Sequence, residues 1–156
     1  MSGIYLFDWG NTLMVDIPGA VGKMCDWDHV KVIEGAKQTL AYLSATSRIY
    51  VASGAVDSSA RDIEKALQRV DLADYISGYF CPANIGYAKG EAAFLPEIIN
   101  RLDQPASRLS MVGDSWERDI LPALQAGMQA VWYCPQGTGK CRSNVRMISS
   151  LTDLCA

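Results

Sequence analysis

The sequence predicts an α/β fold, in which a doubly wound, mostly parallel sheet lies between two layers of helices. Short apolar runs alternate with amphipathic stretches along the chain, which is typical of parallel strands joined by helical crossovers. Hydrophobic residues make up 49% of the 156 residues, which is ample material for a core. We therefore expect a single domain that spans residues 1–156.

The first half of the chain predicts two strands and two helices. Residues 4–7 (Ile-Tyr-Leu-Phe) form a continuous apolar run, as expected of a buried strand, and residues 48–54 form a second strand that ends in a small polar turn. Helices are expected over 34–46 and 58–70, because apolar residues recur there every three or four positions. A serine pair at the start of the second helix can cap its first turn.

The second half of the chain repeats this alternation. A helix is expected after Gly90, and Pro96 within the stretch indicates that this helix begins late or is kinked. Residues 108–114 predict a strand, residues 117–127 predict a helix that ends at a glycine, and residues 129–133 predict a further strand.

Composition and charge argue against several classes of protein. The net charge is −3 and no cluster of lysine and arginine occurs, so we do not expect nucleic acid as a partner. The five cysteines lack C-x-x-C spacing and only one histidine is present, so neither a zinc site nor a disulfide framework is expected. No apolar stretch is long enough for a bilayer and no signal-peptide pattern opens the chain, so we expect a cytoplasmic protein without a membrane partner.

Polar side chains occur where the predicted strands end. Asp8 follows the first strand, Ser53 closes the second, and Asp114 ends the strand over 108–114, with Asp119 about one helical turn later. Lys89 is expected to open the helix that follows its loop. Because ligands bind beyond the carboxyl ends of the strands in an open parallel sheet, we expect these side chains to converge.

These residue types suit phosphate chemistry. Asp8 can act as a nucleophile or as a ligand for a hard cation, and Asp114 and Asp119 can share Mg²⁺, which prefers a few carboxylates together with phosphate oxygens. Ser53 and Lys89 can hold and neutralise a phosphoryl group. Each residue taken singly has an ordinary explanation as a turn, cap or surface residue, so their joint order and placement favour a site.

Four segments resemble, in order, the motifs of the haloacid dehalogenase (HAD) superfamily. Residues 8–12 (DWGNT) follow an apolar strand and resemble the first motif, D-x-D-x-T, and Ser53 matches the serine or threonine that closes the second strand. Lys89 matches the lysine of the third motif, although Gly90 stands where proline is common. Residues 113–119 (GDSWERD) match the fourth motif, G-D-S-x-x-x-D, fully, and the resemblance extends roughly over residues 3–134.

The resemblance implies a Rossmann-like sheet and an Mg²⁺-dependent phosphohydrolase. In that family the aspartate at the position of Asp8 attacks phosphorus and forms an aspartyl-phosphate, which water then hydrolyses. The implied roles are catalysis by Asp8 and Lys89, phosphate binding by Trp9, Gly10, Ser53, Gly54 and Lys89, and metal binding by Asp8, Gly10, Asp114 and Asp119.

Gly10 stands where phosphatases of the family have a second carboxylate. That carboxylate protonates the leaving oxygen and later deprotonates the attacking water, and such help is worth about 10²–10⁴-fold. A glycine keeps the backbone carbonyl that this position gives to Mg²⁺ and the backbone N–H groups that approach phosphate, but it transfers no proton. We therefore expect a preference for good leaving groups, such as acyl or aryl phosphates.

Several alternatives remain open. Another residue of the irregular segment 14–32 can supply the proton, and the candidates there are Asp16, Asp26, Asp28 and His29. The chain can instead be a catalytically impaired domain that binds a phosphorylated ligand or a protein partner. Members that cleave carbon–phosphorus bonds also have a small residue at this position, but they use a lysine in a cap domain. Dehalogenation is less favoured, because Lys89 and the acid pair suit Mg²⁺ and phosphate better.

The segment 14–32 is too short for a separate helical cap domain, and no second insertion is evident between Ser53 and Lys89. We therefore expect a capless or nearly capless member, with only a short flap at about 14–32. An open site suits a phosphorylated macromolecule as well as a small molecule, or a site that a second subunit of a homo-oligomer closes. Trp9, Trp27 and Trp116 are candidates for its mouth, although packing is their more ordinary role.

Overall fold

The computed structural model of the chain describes residues 3–137 and 145–155. The strands within these ranges are β1 (Ile4–Phe7), β2 (Arg48–Ala52), β3 (Gly78–Phe80), β4 (Leu109–Gly113), β5 (Gln129–Tyr133) and β6 (Arg146–Ile148). They form one sheet in the order β3-β2-β1-β4-β5-β6, and every pair is parallel. The predicted α/β fold with a doubly wound parallel sheet is confirmed.

Helices cover both faces of the sheet. They are α1 (Ala36–Ser44), α2 (Ala60–Gln68), α3 (Pro82–Ile85), α4 (Phe94–Leu102) and α5 (Leu121–Gln125). Leu40 of α1 and Leu67 of α2 join one buried cluster, whereas Ile98 of α4 and Ala123 of α5 join another. The two clusters are the cores on either side of the sheet, which makes three layers.

The central strand β1 is buried on both faces. Leu6 and Phe7 have no exposed surface, and they belong to the two different clusters. Successive side chains of a strand point to opposite faces, so a strand between two helical layers needs apolar residues at every position. The uninterrupted run from Ile4 to Phe7 meets this need, and its bounds are those predicted.

Two expectations about helix starts are corrected or refined. Lys89 does not open a helix, because Gly90 has a φ of 100° and α4 begins only at Phe94. Pro96 is the third residue of α4, within the first turn, where a missing N–H costs no helical bond. Ser59 is the residue that caps α2, and it forms a capping box with Asp62.

The flap at 14–32 is closed at its base and attached to α2. Met14 forms an antiparallel bridge with Val32, and Val15 donates to the carbonyl of Lys31. Further along, Arg69 donates to the carbonyls of Cys25, Trp27 and Asp28. These contacts hold the segment beside the carboxyl ends of the strands. That the chain has no separate cap domain stays a prediction.

Within the described part of the chain, no helix is long and apolar enough to span a lipid bilayer. The cytoplasmic location expected from the sequence stays a prediction.

Candidate active site

The carboxyl ends of β1, β2 and β4 bring the predicted site residues together. Asp8 directly follows β1, and its N–H donates to the Val112 carbonyl (2.9 Å), which continues the pairing with β4. Ser53 directly follows β2, and Asp114 directly follows β4. All three line a cleft of about 540 Å³, together with Lys89 and the other predicted site residues. The predicted convergence therefore occurs.

Lys89 lies at the centre of the polar contacts. Its Nζ is 2.6 Å from Oδ1 of Asp8, 2.6 Å from Oδ1 of Asp119 and 2.8 Å from the carbonyl oxygen of Ala52. Only 3% of its side chain is exposed. Burial alone would lower the pKa of Lys89, but the negative charges of Asp8 and Asp119 raise it above the usual range. The lysine is therefore a fixed positive charge, which donates hydrogen bonds to Asp8 and to the Ala52 carbonyl and forms an ion pair with Asp119.

Asp8 is held as an ionised carboxylate. Oδ1 accepts a hydrogen bond from Lys89, and Oδ2 accepts one from the Thr12 hydroxyl at 3.1 Å. Burial would raise the pKa of Asp8, but the charge of Lys89 and hydrogen bonds from its neighbours outweigh burial and lower that pKa. A carboxylate must be ionised to act as a nucleophile, so this environment suits that role.

Asp119 reaches the site through a widened helical turn. Residues Trp116–Ile120 form a π-helical turn, in which Ile120 donates to the Ser115 carbonyl at 3.2 Å. The turn places the buried Asp119 carboxylate against Gly113, where any Cβ would overlap it. Oδ2 of Asp119 accepts the N–H of Ser115 at 3.1 Å. The glycine of the fourth motif is therefore required for space.

Three carboxylates form an acidic cluster that fits a divalent cation. Asp8, Asp114 and Asp119 each place an oxygen within 4.8 Å of the others. Burial, a hydrogen bond with Asp8 and the charges of Asp8 and Asp119 raise the pKa of Asp114 to about 7. Lys89 is paired with two of these three acids, so the cluster keeps excess negative charge, which a cation would neutralise. Carboxylate oxygens are also the ligands that Mg²⁺ prefers, so these residues fit the metal that the sequence implied.

The side of the cleft beside β2 carries a hydroxyl and a guanidinium. Ser53 is buried, and its Oγ accepts the N–H of Ala55 at 3.0 Å, so its hydroxyl hydrogen can point to a ligand. Gly54 leaves room for Arg118, because a Cβ there would meet the guanidinium and would lie 3.2 Å from Cβ of Lys89. The sequence did not single out Arg118, which occupies a variable position of the fourth motif and gave no signal there.

The tryptophans differ in their placement. The Trp9 indole is 4% exposed and donates to the sulfur of Met14 at 3.3 Å, so its ring belongs to the core although the residue borders the cleft. Trp27 lines the cleft, and its indole donates to the Gly22 carbonyl. Trp116 packs against Trp132 and is not among the described residues that line the cleft. Of the three tryptophans predicted at the mouth, Trp9 and Trp27 therefore line the cleft, and Trp116 is not among the described lining residues.

Of the four residues predicted as substitutes for the acid missing at Gly10, only some line the cleft in the described part of the chain. Gly10 and Asp16 both line the cleft, whereas Asp26, Asp28 and His29 are not among the described residues that line it. The sequence gave no means of choosing between these candidates, because the fold of the segment 14–32 decides which of them faces the cleft.

The model of a hydrolase family, described as haloacid dehalogenase-like hydrolase, matches residues 10–127. None of the curated proteins compared matches the chain.

Solved structures match the fold over most of the chain. A HAD-hydrolase, YfnB from Bacillus subtilis, described as bound to magnesium, is 15% identical with a TM-score of 0.78, over 97% of this chain and 96% of its own. A HAD phosphatase from Thermococcus onnurineus is 24% identical with a TM-score of 0.69, over 80% of this chain and 57% of its own. A 2-haloacid dehalogenase from Pseudomonas syringae pv. Tomato is 20% identical with a TM-score of 0.77, over 99% of this chain and 96% of its own. At these identities the likeness concerns the fold, and it does not decide between the two reactions.

Proposed function

The chain belongs to the haloacid dehalogenase-like hydrolases, and on that premise we propose that it is a phosphohydrolase that requires Mg²⁺ and forms an aspartyl-phosphate on Asp8. The observation that carries the proposal is the acidic cluster of Asp8, Asp114 and Asp119, of which Asp8 and Asp119 lie 2.6 Å from the Lys89 ammonium. Phosphoryl transfer needs a metal and fixed cations to offset the charge of the phosphate, and this arrangement provides for both.

The metal would be held by the three carboxylates of the cluster, together with the backbone carbonyl of Gly10. When bound, Mg²⁺ would draw charge from the phosphoryl oxygens and orient the group for attack. Two of the three acids keep a second contact with the protein, Thr12 for Asp8 and the Ser115 N–H for Asp119, so their oxygens are already oriented.

The protein's own residues divide the remaining tasks. Asp8 attacks phosphorus, while Lys89 balances the charge of Asp8 and of the phosphate. The Ser53 hydroxyl and the backbone N–H groups of Trp9 and Gly10 bind the oxygens of the transferring group. Covalent capture on Asp8 replaces one difficult displacement by two easier ones, and water then releases phosphate.

The substrate is a phosphorylated small molecule or macromolecule. The phosphatase proposal is favoured over dehalogenation because a carboxylate cluster suited to a cation has no evident use in displacing a halide from an uncharged carbon. Single-domain organisation without a separate cap, and assembly into a homo-oligomer, belong to the same proposal. The described cleft lining includes residues of the short flap, such as Asp16 and Trp27.

Steady-state hydrolysis of p-nitrophenyl phosphate and acetyl phosphate, with and without Mg²⁺, tests the proposal. We expect turnover that depends on Mg²⁺ and is abolished by Asp8→Asn but kept by Asp74→Asn, a matched change at an exposed aspartate outside the cleft lining. Chloride release from 2-chloropropionate without metal would instead support dehalogenation. Binding of inorganic phosphate and Mg²⁺ without turnover of any substrate would support a binding domain.

A further inference from the structure

The proposed reaction needs a group that transfers protons, and Gly10 cannot be that group. When the leaving group is an alkoxide, a proton must reach the leaving oxygen, and the attacking water must later lose one. Gly10 lies two residues after Asp8 and lines the cleft, but it has no side chain with which to transfer a proton.

The turn after β1 returns the chain to Gly10 and brings Asp16 there. Gly10 forms a bridge with Met14, and Asn11 adopts a left-handed φ of 62°. The side-chain oxygen of Asn11 then accepts the N–H of Asp16 at 3.0 Å. A Cβ built on Gly10 would lie 3.6 Å from Cβ of Asp16. The side chain of Asp16 therefore starts next to the point where a side chain at position 10 would start.

The direction of the displacement also favours this position. Attacking and leaving oxygens lie roughly in line on opposite sides of phosphorus. Asp8 attacks from the polar, buried end of the cleft, where Lys89 holds it, so the leaving oxygen points toward the open side. Asp16 is exposed and lines the cleft, as a residue on the open side of the cleft would be.

Other polar groups of the described cleft lining have different tasks. The Lys89 ammonium donates to Asp8 and to the Ala52 carbonyl, and it forms an ion pair with Asp119. Asp114 and Asp119 belong to the acidic cluster, and the guanidinium of Arg118 has hydrogen-bond donors but no acceptor. Asp16 and Asp57 are the carboxylates that remain among the described lining residues. Asp57 lies in the loop after β2 and accepts a hydrogen bond from Ser58 at 3.0 Å.

We propose that Asp16 is the general acid and base of the reaction, in place of a side chain at position 10. This inference rests on the proposed phosphohydrolase function and assigns its missing proton carrier. In the first step Asp8 forms a bond to phosphorus, the bond to the leaving oxygen breaks, and the protonated Asp16 gives its proton to that oxygen. In the second step Asp16 takes a proton from water, whose oxygen attacks phosphorus, and the bond to Asp8 breaks. Phosphate leaves, and Asp16 is protonated again.

The test compares leaving groups in Asp16→Asn. We expect kcat/KM for an alkyl phosphate such as glycerol 3-phosphate to fall by at least about 100-fold, because general acid help is worth that much for a poor leaving group. We expect kcat/KM for p-nitrophenyl phosphate to change by less than about threefold, since p-nitrophenolate leaves without a proton. Because the second step lacks its base, a burst of one p-nitrophenol per chain should precede slow turnover.

Two further variants keep the outcome decisive. Asp57→Asn should leave both substrates unaffected. The double variant Gly10→Asp with Asp16→Asn should recover alkyl phosphate hydrolysis, because Gly10 is not in the left-handed region and a Cβ there meets only an ordinary contact with Asp16.

Equal losses for both substrates without a burst, or no loss in Asp16→Asn, would overturn the assignment, and so would the same leaving-group dependence in Asp57→Asn. If wild type releases phosphate from neither substrate, the proposed function itself fails. That result differs from a failure of the Asp16 assignment, in which p-nitrophenyl phosphate is still hydrolysed.

Discussion

Replacing Lys89 with methionine should destabilise the protein strongly. The change keeps most of the apolar stem and removes the ammonium, whose side chain is 3% exposed and lies 2.6 Å from each of two carboxylates. The carboxylates of Asp8 and Asp119 then stay buried without their cation. Removing one partner of a buried ion pair typically costs about 3–5 kcal/mol, and we expect a loss of unfolding free energy in that range.

Urea denaturation at pH 8 in the presence of EDTA measures this loss. Lys65→Met is the matched control, because Lys65 is exposed on α2, and it should change the unfolding free energy by less than about 0.5 kcal/mol. A loss in Lys89→Met as small as that of the control would refute the reasoning, since it would mean that the two carboxylates do not depend on the ammonium.

Three further predictions concern the acidic cluster and the local structure around it. Asp114→Asn should stabilise the metal-free protein by about 1–2 kcal/mol at pH 8, a discounted fraction of the shift because the carboxyl is partly exposed. The pKa of Asp114 in the folded protein is about 7, so its ionised carboxylate lowers the free energy of unfolding fully above pH 7. This loss fades as the pH falls from 7 toward 4, and the melting temperatures of wild type and Asp114→Asn should converge in that window. Gly113→Ala should abolish hydrolysis and lower the unfolding free energy by more than about 1 kcal/mol, because the new methyl group overlaps the Asp119 carboxylate. Unchanged hydrolysis together with an unchanged unfolding free energy would contradict this packing. Ser59→Ala should cost about 1 kcal/mol in urea denaturation through loss of the N-cap of α2, and an unchanged midpoint would show that the capping box contributes nothing.

Much of the sheet could be predicted because its strands carry strong local signals. The runs that became β1, β2, β4 and β5 are apolar over four or five residues, as strands between two helical layers must be. β3 was missed because it has only three residues and begins with Gly78. That glycine packs on the Tyr50 ring, where a Cβ would lie 3.0 Å from the ring, so its pairing is a tertiary effect that no local pattern reveals.

The site residues also divide into those that the sequence predicts and those that only the folded structure reveals. Residues at strand ends, such as Asp8, Ser53 and Asp114, were predictable, because parallel topology alone brings strand ends together. The position of Lys89 ahead of α4 could not be predicted, because Pro96 was compatible with a late start or with a kink, and the positive φ of Gly90 has no local signature. The approach of Arg118 to Gly54, and of Asp16 to Gly10, depends on how a π-helical turn and a flap fold, and neither has a sequence signature.

Direct detection of the covalent intermediate tests the central claim most sharply. The protein is mixed with p-nitrophenyl phosphate and Mg²⁺, quenched in acid, and analysed by mass spectrometry of the intact chain and of its peptides. We predict one added phosphoryl group that hydroxylamine removes, located on the peptide that contains Asp8 and missing in Asp8→Asn. Turnover of p-nitrophenyl phosphate with no such adduct, in the wild type and also in Asp16→Asn, where the intermediate should accumulate, would contradict nucleophilic attack by Asp8.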